Sequence, residues 1–417
     1  RDFLASAAAL TLVSANALAA KKKSETKPTT SSKPASKPSS HSTRNSAHSG
    51  SNAKPQAGSG PVAHTAEDPI FEKPPQGTSA TRLPPTKAPE PPSDWRTYEV
   101  TTTVKLKGAS GQTRLWLPLP LNQDMLYQRT LGHSWQGNPE TSAMRRLPDG
   151  DLEVFQSEWS DGSEARFEIR TMVTTADRHF DITKRTIPPE REDILRRNLQ
   201  ASSLIPNDGL AHQLGERIIG RIKDPVAQAK AIYDWVVDNT IYDPALPGCG
   251  TGDVRQQLIR GQYGGRSADI NGLFVAICRA IGIPARCVFG LRVAPSRLFR
   301  SLGLTSDDAT KAQHVRAEFY IPGFGWIPVD PSDVRRAVAM EGLSDRDSKF
   351  NSLRKILFGV WEMNWIAYNV GVDVTLPGRQ GTVPFLILPQ QESRNVLRTA
   401  LDAATFEFSI AARRSEP

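Results

Sequence analysis

The hydrophobic period of this chain changes once, and the change divides it into two kinds of folded segment. Between Trp95 and Thr183 apolar residues recur at every second position, in runs such as Tyr98-Val100-Thr102-Val104-Leu106 and Leu152-Val154-Gln156. Turn clusters separate the runs, among them Gly108-Ala109-Ser110-Gly111 and Pro148-Asp149-Gly150. Alternation of that kind builds half-buried strands, so residues 95–185 are expected to form a small β-sandwich-like module. After Pro188 the period becomes helical. Val226, Ala229, Ile232, Tyr233, Val236 and Val237 share one face, behind an Asp224 N-cap and a proline, Pro225, at the first helical position. Strands first and helices after predict an α+β chain whose helical core spans residues 190–345.

What precedes the strands cannot fold in that way. Residues 21–94 are Lys, Ser, Thr and Pro with few large apolar side chains. So little burial cannot offset the entropy of ordering, and a disordered basic linker is expected. It carries nine Lys and two Arg against four Glu and two Asp, which is +5 of the chain's formal +8. The folded remainder is near neutral, which argues against nucleic acid as a partner. The basic segment suits anionic cell-wall polymer or a membrane surface, or serves only as a spacer. Residues 1–20 read as an export signal peptide: an apolar stretch from Ala5 to Ala15 precedes Ala17-Leu18-Ala19, a signal-peptidase pattern. Arg1-Asp2-Phe3-Leu4 is similar to the second half of a twin-arginine signal. The apolar run is shorter than about 18 residues, so a membrane span is not expected there. The expected location is the periplasm or cell envelope.

The residues that carry chemistry lie in three stretches of the core. Gly265-Arg266-Ser267-Ala268-Asp269-Ile270-Asn271 opens a helix in which Ile270, Leu273, Phe274, Ile277, Cys278 and Ile281 form a buried stripe, with Gly282 and Pro284 as its stop. Ser267 therefore stands at or just before a helix N-terminus, where unpaired N–H groups and the macrodipole favour a developing negative charge. A hydroxyl there stays protonated and needs a base. The candidate base is His314, on a strand from Gln313 to Ile321. Alternation puts Val315, Ala317, Phe319 and Ile321 toward the core, with His314, Arg316, Glu318 and Tyr320 facing away from it. A turn at Pro322-Gly323-Phe324-Gly325 returns the chain into Trp326-Ile327-Pro328-Val329-Asp330. A register that pairs Arg316 with Asp330 brings the side chains of His314 and Asp330 within reach on one face. A slip of one residue separates them.

Three phrases, Gly-Gly-Arg-Ser-Ala-Asp-Ile-Asn with the following helix and Gly-Ile-Pro-Ala-Arg (264–286), Ala-Gln-His-Val-Arg-Ala-Glu-Phe-Tyr (312–320) and Gly-Trp-Ile-Pro-Val-Asp-Pro-Ser-Asp (325–333), resemble the bacterial transglutaminase-like family. The resemblance covers about residues 190–340. It implies a papain-like core and a nucleophile, base and orienter at Ser267, His314 and Asp330, with serine where the family has cysteine. It also implies a peptide or protein substrate, whose peptide or glutamine-type amide bonds undergo acyl transfer or hydrolysis.

Two readings of Ser267 stay open. As a nucleophile it makes the chain an acyltransferase or amide hydrolase; as an N-cap it satisfies its own helix and leaves a catalytically degenerate binding module of the cell envelope. Cys278 falls on the apolar stripe three turns along, Cys287 begins a central strand and Cys249 lies in a Gly-rich loop; a disulfide among them is one option in an oxidising compartment. Asp269 is expected to favour the helix dipole, and Arg266 to pair with it or touch substrate. Trp326 is expected to pack structurally or to shield the His314 and Asp330 pair, and Tyr263 or a neighbouring N–H to complete an oxyanion hole. Residues 346–417, with apolar runs at Trp361-Glu362-Met363-Asn364-Trp365 and Pro384-Phe385-Leu386-Ile387-Leu388, are expected as a C-terminal extension packed on the core. No metal-ligand spacing, phosphate loop or dinucleotide fingerprint appears, so no cofactor is expected.

Overall fold

The computed structural model describes residues 94–122, 126–147, 151–180 and 187–415. The signal peptide over 1–20 and the linker over 21–94, Asp94 aside, lie outside the described residues. The described residues form an α+β fold, as the change of period implies.

Two antiparallel sheets make a sandwich. One runs in the order Phe406–Ser415, Arg96–Leu106, Arg166–Thr175, Gln128–Gly137. The other runs Val396–Thr399, Gln390–Ser393, Thr113–Pro118, Leu152–Trp159, Thr141–Leu147. Val104, Phe167 and Ile169 from the first sheet share a buried cluster with Leu115, Leu117 and Phe155 from the second, and the rings of Phe155 and Phe167 lie 4.9 Å apart.

The sandwich is not confined to residues 95–185: strands from within 346–417 complete both of its sheets. Phe406–Ser415 pairs along the length of Arg96–Leu106, from Thr97 opposite Ser415 to Leu106 opposite Phe406. Gln390–Ser393 likewise pairs with Thr113–Pro118. Without these returning strands, Arg96–Leu106 and Thr113–Pro118 would each present an unpaired ladder at a sheet edge. The same C-terminal segment also packs on the core: the strand Trp365–Asn369 pairs with Ala285–Arg292, and Ile410 and Ala412 share a buried cluster with Leu291, Val293 and Ile366.

The core sheet has the antiparallel order Gly325–Val329, Gln313–Ile321, Ala285–Arg292, Trp365–Asn369. Against it lies the helix Ser267–Ala280, all of whose residues are buried. It is wrapped because the helices Gly209–Ile219, Pro225–Asn239 and Pro331–Glu341 pack on its other sides. Local signals behave as their chemistry dictates. The Asp224 carboxylate accepts the Ala227 N–H at 2.8 Å, and Gly261 ends the helix Val254–Arg260 in the left-handed conformation at φ +64°.

One expectation about faces fails. Both faces of the strand Gln313–Ile321 are buried, because the C-terminal segment covers the side that alternation left to solvent. Arg316 lies over the ring of Trp365 at 4.8 Å, and Glu318 pairs with Arg178 and Arg286, each at 2.6 Å. Charged side chains on that face are neutralised in place rather than hydrated.

Candidate active site

Ser267 is the first residue of its helix, and Arg266 occupies the N-cap position. Its hydroxyl is directed across to the core sheet, where Oγ accepts the backbone N–H of Val315 at 3.1 Å. Val315 is the neighbour of His314. The hairpin pairs Ala317 with Val329 and Phe319 with Ile327, and the continuation of that register sets Arg316 opposite Asp330. His314 Nε2 consequently reaches Asp330 Oδ2 at 2.7 Å. The other carboxylate oxygen accepts Asn271 Nδ2 at 3.2 Å, Ser332 Oγ at 2.8 Å and the Asp333 N–H at 3.1 Å. A carboxylate at Nε2 fixes the proton on that nitrogen and leaves the Nδ1 lone pair as the basic site. Among the described residues no hydrogen bond joins Ser267 to the ring; Oγ accepts from Val315, and that leaves its own O–H free to donate.

The charges around His314 carry no negative excess. Arg292 Nη2 stands 2.5 Å from Asp333 Oδ1, and Arg316 Nε stands 3.5 Å from Asp330 Oδ2. Two acids face three guanidiniums, Arg336 being the third, and leave no surplus negative charge to favour an imidazolium. Burial, and then the Arg292 cation, hold the His314 pKa well below its usual 6.5, against the opposing pull of Asp333. Burial also brings Arg316 down to about 10, although Asp330 opposes it. His314, Asp330 and Asp333 have ligand atoms within 4.8 Å of one another, as a cation site requires. The guanidiniums of Arg292 and Arg316 already fill that requirement.

A pH dependence follows from a neutral buried imidazole. The unfolded chain takes up a proton on His314 near the ordinary value of 6.5, whereas the folded chain resists it to lower pH. The stability linked to His314 is therefore complete above that value and declines as pH falls below it, by at most about 1.4 kcal/mol per pH unit. Denaturant unfolding at a series of pH values is expected to show a shallower acid decline for His314→Gln than for the unaltered chain. Equal slopes would mean that the imidazole titrates alike in both states.

Several neighbours have roles that the sequence did not disclose. Cys249 lies against Ser267: the Ala268 N–H donates to its carbonyl at 2.9 Å. Burial pushes its thiol up to about 11, opposed by the Ser267 hydroxyl and Arg266. Cys249, Cys278 and Cys287 are all free and buried. Asp269 does more than complement the dipole, for it accepts the N–H groups of Arg266 at 2.8 Å, Thr251 at 3.1 Å and Gly252 at 2.8 Å. It thereby ties the Gly-rich loop to the helix start. The Arg266 guanidinium turns instead to the carbonyls of Pro244 and Leu246, at 3.3 and 2.7 Å.

Trp326 sits at the far end of the hairpin, donating to Glu190 at 3.0 Å beneath Arg286 at 3.9 Å. The tryptophans that hold the strands Gln313–Ile321 and Gly325–Val329 are Trp365, donating to the His314 carbonyl at 3.0 Å, and Trp361, donating to that of Val329 at 3.1 Å. Tyr263 packs edge-on against Trp235, with ring centres 5.2 Å apart. Asn271 was open to discovery, because four residues after Ser267 it shares that face of the helix. Arg292 gave no such sign, since a charge on a strand reads as solvated.

A model of the transglutaminase-like superfamily matches residues 212–331, the stretch that contains all three side chains. A Haemophilus influenzae protein, named only as uncharacterised, is 33% identical over 312 residues, covering 70% of this chain and 84% of that protein. The chain belongs to the transglutaminase-like superfamily. A solved structure from Cytophaga hutchinsonii that carries a provisional cysteine-protease name covers 78% of this transglutaminase-like chain and 92% of its own, at 15% identity and a TM-score of 0.50. That likeness is one of fold. A transglutaminase-like, papain-like fold supports, at a coarse level, a function on amide bonds.

Proposed function

We propose that this transglutaminase-like protein is an exported acyltransferase or hydrolase acting on peptide or glutamine-type amides. Ser267 is its nucleophile, His314 its base and then acid, and Asp330 the group that orients the imidazole. One observation carries the reading. The His314 Nε2 to Asp330 bond of 2.7 Å lies on the strand whose next N–H, that of Val315, holds Ser267 Oγ at 3.1 Å. Export rests on the leader-like residues 1–20.

Ser267 Oγ attacks the amide carbonyl carbon while His314 Nδ1 takes the hydroxyl proton. The oxyanion that forms lies at the helix N-terminus, where the N–H of a first helical residue is outside the intrahelical ladder. Collapse breaks the C–N bond, the proton passes from Nδ1 to the departing amine, and the acyl group stays on Ser267 as an ester. Water then gives hydrolysis, and an amine gives transfer. Surroundings that disfavour an imidazolium suit an oxygen nucleophile. A resting thiolate needs a stable imidazolium beside it, which Arg292 and Arg316 oppose; a hydroxyl gives up its proton only during attack.

A second reading, a degenerate module that binds envelope peptide or polymer without turnover, is favoured by the bond from Val315 to Ser267 and by the burial of Ser267 and His314, each 3% exposed. Assays of amide hydrolysis and amine incorporation by the unaltered chain, Ser267→Ala and Ser267→Cys separate the two. The enzyme reading expects activity that falls by roughly 10³ or more in Ser267→Ala. Activity in Ser267→Cys alone, or in none of the three, is the outcome that fits the module.

A further inference from the structure

A cavity of about 660 Å³ opens between the edge of the sandwich and the core, and five arginines line it: Arg146, Arg191, Arg197, Arg279 and Arg286. Three acids, Asp151, Glu190 and Asp373, share the lining, and Arg191 is held by Asp193 beside it at 2.6 Å, which leaves the wall one positive charge in excess. Arg279 stands on the helix of Ser267 but twelve residues further on, about 18 Å along its axis. The cavity is therefore separate from the catalytic arrangement.

Two features locate the excess charge. Arg279 is 5% exposed, and its guanidinium donates only to backbone carbonyls, those of Ala285 at 2.7 Å and Gln200 at 2.8 Å. Among the described residues no carboxylate neutralises it; burial draws its pKa down to about 10, and only the thiols of Cys287 and Cys278 oppose that. A buried guanidinium held without a counter-ion is costly, and an anion at its open side removes the cost. Arg286 supplies the second feature. It shares the single carboxylate of Glu318 with Arg178, each at 2.6 Å, so that cluster too is one positive charge in surplus.

Two of the wall's acids are engaged elsewhere. Glu190 is occupied with the Trp326 indole at 3.0 Å and the Arg191 N–H at 2.9 Å. Asp373 accepts the Ser203 N–H at 2.8 Å.

We propose that this cavity binds a dianion, a phosphate monoester or a dicarboxylate, with Arg279 and Arg286 as its cationic contacts. The guanidinium fork matches both oxyanions, and a cavity of several hundred Å³ accommodates an organic ligand that bears one. The chemistry is independent of whether Ser267 is active.

Isothermal titration of the full chain tests it, with inorganic phosphate and succinate as dianions and acetate as the monoanion. Saturable one-to-one binding of phosphate, of succinate or of both, in preference to acetate, is expected, and which of them binds tells a phosphate ligand from a carboxylate one. Arg279→Gln is expected to weaken that binding about tenfold or more. Asp373→Asn removes a negative charge from the wall while keeping a residue that tolerates its φ of +51°, and is expected to tighten binding about threefold. This second variant decides the matter if Arg279→Gln does not fold. Absence of saturable dianion binding, or affinity unchanged in the folded variants, overturns the proposal.

Discussion

Asp330→Asn is expected to remove nearly all catalytic activity, lowering kcat by about 10⁴, while the chain still unfolds cooperatively. The amide keeps an oxygen to accept from Asn271, Ser332 and the Asp333 N–H, as Oδ1 does now. Its nitrogen takes the place of the oxygen that faces His314 Nε2 at 2.7 Å. That nitrogen donates, so the ring accepts at Nε2 and carries its proton on Nδ1, the atom that has to receive the Ser267 proton. Asp330→Ala is a different experiment. It strands four buried donors, His314 Nε2–H among them, and the Arg316 cation, and should cost about 3–5 kcal/mol of stability. Steady-state rates together with near-ultraviolet circular dichroism distinguish the two variants. An Asp330→Asn protein that keeps more than about a tenth of its kcat would detach this carboxylate from proton transfer.

Trp365→Ala is expected to be the more damaging change to the fold, with a loss of about 3–5 kcal/mol in denaturant unfolding. The indole is fully buried, donates to the His314 carbonyl at 3.0 Å and underlies the Arg316 guanidinium at 4.8 Å. Its packing leaves no slack, for a Cβ at Gly290 would collide with this ring and with the Ile366 carbonyl. Truncation opens a cavity, removes the indole donor from the His314 carbonyl and takes an aromatic face from the Arg316 cation. Trp326→Ala, at the half-exposed far end of the hairpin, is expected to cost less. A Trp365→Ala loss below about 1.5 kcal/mol would show that the C-terminal segment is not what holds the His314 strand.

The parts of the site that the sequence disclosed are those set by local chemistry. The turn at Pro322-Gly323-Phe324-Gly325 and alternation on both sides of it placed the hairpin but left its register conditional, and the pairing observed is the one that brings His314 to Asp330. The helix start at Ser267 followed from the apolar stripe and its stop at Gly282. Two things were hidden because they depend on contacts distant along the chain. Alternation assigned His314, Arg316 and Glu318 to an outward face, but it cannot tell solvent from a segment some fifty residues downstream that brings Trp361 and Trp365 to cover them. Residues 406–415 do alternate, yet nothing local indicates that their partner is Arg96–Leu106, on the opposite side of the core in sequence. Cys249 was read as a loop residue for the same reason: only the fold brings it against Ser267.

The most direct measurement is to incubate the chain with an activated acyl ester, quench in acid and map the acylated residue by peptide mass spectrometry. The expected result is one acyl group on the peptide that contains Ser267, lost in both Ser267→Ala and His314→Gln. Acylation of Cys249 instead, or no adduct at Ser267 in a folded chain, contradicts a hydroxyl activated by His314 and Asp330.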